Sequence, residues 1–98
     1  MIATTIFKCI LLAKTQVLVL EAPVNEYAMA TIAQDHNGVH FEGTVIEGRV
    51  NSVSIEYLKG GPKTMSYSIK DYGQRSLSLT LDYKKEHASL DCELNETN

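Results

Sequence analysis

The sequence has no tryptophan, two cysteines, two prolines and no basic surplus: nine lysines and arginines stand against twelve acids, for a formal charge of −3. Each shortage excludes something. Two cysteines are no disulfide framework, so the 98 residues must rest on an apolar core. A chain of this size buries roughly 60–70% of the surface it exposes when unfolded, which makes such a core feasible without metal. Cys9 and Cys92 pair only if the first and last segments are neighbours. The favoured reading is two buried thiols, since free cysteine often behaves as a small hydrophobe. A duplex-binding protein usually carries excess positive charge, so no nucleic-acid partner is expected. With 44% hydrophobic and 21% charged residues, global disorder is excluded. No linker or internal repeat divides the chain, and one domain is expected.

What is present is alternation. In Ser52–Lys70, Val53, Ile55 and Tyr57 alternate with Ser52, Ser54 and Glu56, and Met65, Tyr67 and Ile69 alternate with Thr64, Ser66, Ser68 and Lys70. Successive side chains of a strand point to opposite faces, so this stretch reads as two strands around a Lys59-Gly60-Gly61-Pro62-Lys63 turn. Pro62 has no N–H for a ladder. Asp35-His36-Asn37-Gly38 is the clearest turn. Asn-Gly favours the primed turns that match strand twist, so a hairpin is expected between Tyr27–Gln34 and Val39–Ile46. Val39, Phe41 and Val45 share a face with Gly43, which marks a bulge or the close approach of another strand. Further turns are read at Glu47-Gly48-Arg49, Asp71–Gln74 and Lys84-Lys85-Glu86. The strands between and after them turn Leu77, Leu79, Leu81 and Tyr83, then Ala88, Leu90, Cys92 and Leu94, to one side. About six short strands with polar turns predict an all-β fold: a small antiparallel β-sandwich, immunoglobulin-like, with a small β-barrel as the alternative.

Residues 1–22 admit three readings. One is a signal peptide, with Lys8 as its positive residue, an apolar run from Cys9 to Leu20 and Ala22 near a cleavage point; Lys14 and Pro23 fit it poorly. Another is a pair of first core strands, Ile6–Ala13 and Gln16–Glu21. The third is a helix through Ile2, Ile6, Ile10, Ala13 and Val17. No stable membrane insertion is expected, because Lys8, Lys14 and Glu21 fall within a run barely long enough to span. Residues 23–98 form the β domain under any of these readings.

Candidate chemistry is sparse. His36 and His40 would share a helix face, but Asn37-Gly38 lies between them and no third ligand is evident, so no metal site is expected. No serine sits in a nucleophile elbow. Cys92 falls on an inward face, a poor place for a reactive thiolate. Asp91 and Glu93 share an outward face with no apolar pocket to raise either pKa. Asn95-Glu96-Thr97 fits the N-glycosylation pattern at a terminus expected to fray. Neither catalytic residues nor a cofactor is expected, and the chain reads as a non-enzymatic, monomeric protein-binding module. The candidate binding residues are Lys59, Gly60, Gly61, Pro62, Lys63, Lys70 and Arg75, a basic group that could steer an acidic partner.

Lys59-Gly60-Gly61-Pro62, followed by Ser66 and Gly73, resembles the central Lys-x-Gly-Pro…Ser…Gly segment of the CsgH/CsgC-type curli assembly chaperone family. Gly38–Val45 is similar to the strand before that segment, and Leu79–Asp82 with Ala88–Leu94 to its closing strands, so the resemblance covers about residues 26–94. The Gly73–Leu77 connection is shorter than the family pattern, and the Cys-x-Cys element of the CsgC type is absent, so no redox role carries over. The resemblance implies an immunoglobulin-like sandwich in the periplasm, reached by a signal peptide, that binds amyloid-forming curli subunits and inhibits their premature assembly. Charge reversal at Lys59, Lys63 and Lys70 together would then weaken inhibition without unfolding the domain. The competing reading is a small intracellular inhibitor or adaptor, phage-encoded or otherwise, that occludes a larger protein; it is cytoplasmic, retains residues 1–22 and packs Cys9 near Cys92.

Overall fold

The computed structural model describes residues 4–25, 29–58, 63–68, 75–83 and 85–97. Every element among them is a strand: β1 (Thr4–Ala13), β2 (Gln16–Val24), β3 (Met29–His36), β4 (Val39–Ile46), β5 (Arg49–Tyr57), β6 (Lys63–Ser68), β7 (Ser76–Tyr83) and β8 (Glu86–Thr97). Three two-residue turns set the register. Asn37-Gly38 (φ 50° and 79°) and Glu47-Gly48 (φ 50° and 75°) have positive φ at both positions, as type I′ hairpin turns require. Lys14-Thr15 does the same (φ 52° and 62°) without glycine or asparagine. A β-branched residue there is unusual. The Thr15 hydroxyl donates to the Lys14 carbonyl at 2.6 Å within the turn.

The strands form two four-stranded antiparallel sheets, ordered β2-β1-β8-β7 and β3-β4-β5-β6. Their inward side chains make one core from Phe7, Cys9, Leu11 and Ala13 of β1, Val39, Phe41 and Val45 of β4, Val50, Val53, Ile55 and Tyr57 of β5, Leu77 of β7, and Ala88, Leu90, Cys92 and Leu94 of β8. This is the expected all-β sandwich, with the expected inward residues on β4, β5 and β8. Its connectivity is simpler than the immunoglobulin-like order, which has Greek-key crossings. Here each strand pairs with its neighbour in sequence, except that the first and last also pair and the chain changes sheet at β2–β3 and β6–β7. The strand order is that of a meander divided between two sheets, with its first and last strands paired.

Residues 4–24 are β1 and β2, as in the reading of residues 1–22 as first core strands. β1 lies inside its sheet, between β2 and β8. That neighbourhood settles the cysteines. Cys9 and Cys92 are register partners, both face inward, and they are joined by a disulfide with Cα atoms 4.1 Å apart. The favoured reading of two buried thiols is therefore corrected: Cys9 and Cys92 are 83 residues apart in the chain, yet their strands are adjacent in space. The disulfide faces Gly43 across the sandwich. A Cβ at position 43 would lie 2.5 Å from Cys92 Sγ and 3.0 Å from Cys9 Sγ, so glycine is what lets the sheets close there. The register of β4 with β5 shifts between Thr44 and Val45, beside this contact.

Candidate interaction surface

Because β1 turns Phe7, Cys9, Leu11 and Ala13 inward, alternation turns Ile6, Lys8, Ile10 and Leu12 outward. Register places Val17 beside Leu12, Val19 beside Ile10, Glu21 beside Lys8 and Pro23 beside Ile6. Toward the Lys14-Thr15 turn the outer face of the β2–β1 half of the sheet is therefore apolar: Val17 and Val19 are 61% and 46% exposed and Ile10 and Leu12 are half-buried, while the Lys8–Glu21 pair separates them from Ile6 and Pro23. Across the same face, β8 continues the rows with Ser89, Asp91, Glu93 and Asn95, and β7 with Ser76, Ser78, Thr80 and Asp82. One sheet face is thus divided between an apolar and a Ser/Thr-acidic half. Contiguous exposed apolar surface of this kind marks interaction sites.

β2 is also an edge strand, nine residues long. Natural edges are blunted with lysine, proline or bulges. β2 has Pro23 near its far end and no lysine, so Gln16–Leu20 is unguarded. The close Cα approach of Cys9 and Cys92 is that of a non-hydrogen-bonded antiparallel pair. By alternation Cys9 bonds to Leu20, and Val17, Val19 and Glu21 aim their N–H and C=O groups at the open edge. The sequence reading did not pick out this surface. The signal was available in Val17 and Val19, apolar residues on the outward positions of an apolar strand.

Of the candidate binding residues, Lys59, Gly60, Gly61, Pro62 and Lys70 lie outside the described residues, as do the Asp71–Gln74 turn and Lys84. Lys63 opens β6 opposite Tyr57, whose hydroxyl donates to the Leu81 carbonyl at 3.1 Å. Arg75 precedes β7; its carbonyl accepts from the Leu94 N–H at 2.8 Å, and its guanidinium reaches the Leu94 carbonyl at 3.4 Å. From Leu81 back to Arg75 is about 20 Å of strand at ~3.3 Å per residue. The structure therefore places Arg75 and Lys63 toward opposite ends of the sandwich.

The histidines are held separately. His36 Nε2 meets the Gln16 carbonyl at 3.0 Å, and Asn37 Nδ2 donates to the Ala13 carbonyl and to Gln16 Oε1, which ties the β1–β2 turn to the β3–β4 turn. His40 sits between two carboxylates, Nδ1 at 2.5 Å from Asp35 and Nε2 at 2.9 Å from Glu42, with Glu56 of β5 as its register partner. Hydrogen bonds to Glu42 and then Asp35 raise its pKa above the ordinary 6.5, against a smaller opposing effect of burial. His87 similarly meets Asp82 at 2.5 Å. Among the described residues, no group of three or more His, Cys, Asp or Glu is arranged to hold a metal ion.

A raised folded pKa means that His40 contributes stability fully below pH 6.5, and that the contribution is lost as pH rises through the folded pKa. Its NMR titration midpoint is expected above 6.5, falling in Glu42→Gln. A wild-type midpoint at or below 6.5 would count against both carboxylate contacts.

No helix of the described residues is long and apolar enough to cross a membrane. No family model, curated protein or solved structure matches the chain.

Proposed function

We propose that this chain is a non-enzymatic protein-binding module that takes up an extended apolar segment of its partner as an added strand along β2. The carrying observation is that β2 joins an open hydrogen-bonding edge to an exposed apolar face at Val17 and Val19. Strand addition uses those two features: main-chain bonds give affinity, and alternate side chains give selectivity. The non-enzymatic reading is supported by His40, both of whose ring nitrogens are engaged by carboxylates.

The resemblance to curli assembly chaperones names the partner in this reading as an amyloid-forming fibre subunit, whose own unpaired strands suit β2. The Cys9–Cys92 disulfide supports an oxidising compartment such as the periplasm. The competing adaptor reading draws support from a different observation, the use of residues 4–24 as β1 and β2. Intact mass and thiol state of the protein from its native host, by compartment, separate the readings: a disulfide-bonded species that retains β1 and β2 in an extracytoplasmic fraction supports the chaperone, a reduced cytoplasmic species supports the adaptor, and a species lacking residues 1–22 overturns uptake along β2.

The binding test is a fibre-assembly lag-time assay at substoichiometric protein. Val17→Lys with Val19→Lys, checked for folding by circular dichroism, is expected to abolish most of the delay. Charge reversal at Lys59, Lys63 and Lys70 is expected to have a smaller effect, through slower encounter. An undiminished delay with the folded valine variant would overturn uptake along β2.

A further inference from the structure

We infer that β2 is also the interface of a two-fold dimer of this chain, in which a second copy covers the edge when no partner does. The inference shares its edge with the strand uptake proposed above but needs no client. An apolar edge without lysine has to be managed in some way, and a second copy is the covering that the strand's own sequence fits.

Antiparallel pairing of β2 with itself about Leu18 sets Val17 of each copy opposite Val19 of the other. Both residues direct their backbone groups to the open edge, so the two Val17–Val19 pairs exchange four main-chain hydrogen bonds. On the outer face the four valines meet, flanked by Ile10 and Leu12 of both copies, which register places beside them. On the inner side the two half-buried Leu18 side chains come together at the axis. The same register brings Glu21 of one copy opposite Thr15 and next to Lys14 of the other, twice by symmetry. Lys14, Thr15 and Glu21 are all exposed. The strand is therefore self-complementary, with apolar residues at the centre and opposite charges at both rims, as an isologous interface requires. Pro23, lacking an N–H, lies beyond the paired stretch and ends it.

Analytical ultracentrifugation of the full oxidised chain at 10 to 100 µM (order-of-magnitude working range for a modest interface) tests this. The expected species has about twice the 10.9 kDa monomer mass. Val19→Lys is expected to raise the dimer Kd by at least about tenfold while leaving the thermal melt cooperative. Lys14→Glu and Glu21→Lys are each expected to weaken the dimer several-fold, and the double exchange to recover most of the loss, since it restores opposite charges at both rims. A monomer throughout that range overturns the inference. So does a dimer indifferent to Val19→Lys, or single and double charge variants that behave additively. Fibre-assembly delay by a protein that is monomeric in this assay would leave strand uptake standing and remove only the dimer.

Discussion

A chain that begins at Pro23 is expected not to fold. β1 is an interior strand of its sheet, between β2 and β8, and supplies Phe7, Cys9, Leu11 and Ala13 to the core. Deleting residues 1–22 removes those side chains and the disulfide, opens β8 to solvent along one edge, and uncovers the inner face of β4. Phe7 and Leu11 alone account for about 3–6 kcal/mol of burial, and the cross-link for about 4.5 kcal/mol more. Small domains have only about 5–15 kcal/mol in total. Near-ultraviolet circular dichroism and amide dispersion of residues 23–98 against the full chain decide the matter. A cooperatively folded 23–98 fragment would support the reading of residues 1–22 as a leader and would remove β2 as a binding edge. The test therefore bears on function as well as on stability.

The second large effect is expected at the centre of the core. Replacing Cys9 and Cys92 together by alanine should cost about 4.5 kcal/mol, the chain-entropy expectation for a closed loop of this length. Gly43→Ala in the disulfide-bonded protein should cost roughly 1–3 kcal/mol through overpacking, because the added methyl meets the two sulfurs and the Phe7 ring at 3.3 Å. In the double-alanine background the sulfurs are gone and the same substitution should cost distinctly less. The coupling between the sites, read from urea denaturation under non-reducing conditions, is expected to exceed about 0.5 kcal/mol. Strict additivity would show that the disulfide is not what Gly43 accommodates.

The hairpins were legible because their determinants are local. Asn37-Gly38 and Glu47-Gly48 carry residues that tolerate positive φ, and Val39, Phe41 and Val45, like Val53, Ile55 and Tyr57, alternate strictly with polar residues. The β1–β2 hairpin was only one reading among three. Its turn is Lys14-Thr15, with no glycine or asparagine, and both strands carry apolar residues on both faces, a pattern that does not separate strand, helix and leader. The same two-sided apolar character is what makes β2 a binding candidate. Lys59–Lys63 is conspicuous in the sequence as a charged loop, whereas the exposed apolar face depends on which side of β1 and β2 meets the core, and that is a property of the fold.

By itself, then, the sequence determined an all-β antiparallel fold, with sandwich and small barrel both open, where most turns fall, and which side of β4, β5 and β8 is buried, because period-two alternation and turn chemistry act within a few residues. It marked Gly43 as a bulge or a close approach of another strand, without choosing between them or naming the neighbour. Only the tertiary structure decided that β1 pairs with β8, that Cys9 and Cys92 are bonded, that their sulfurs are what Gly43 accommodates, and that β2 is left as an open apolar edge. Each of these depends on which distant strands become neighbours. That choice is set by the simultaneous closure of two sheets around one core, and no local run of residues records it.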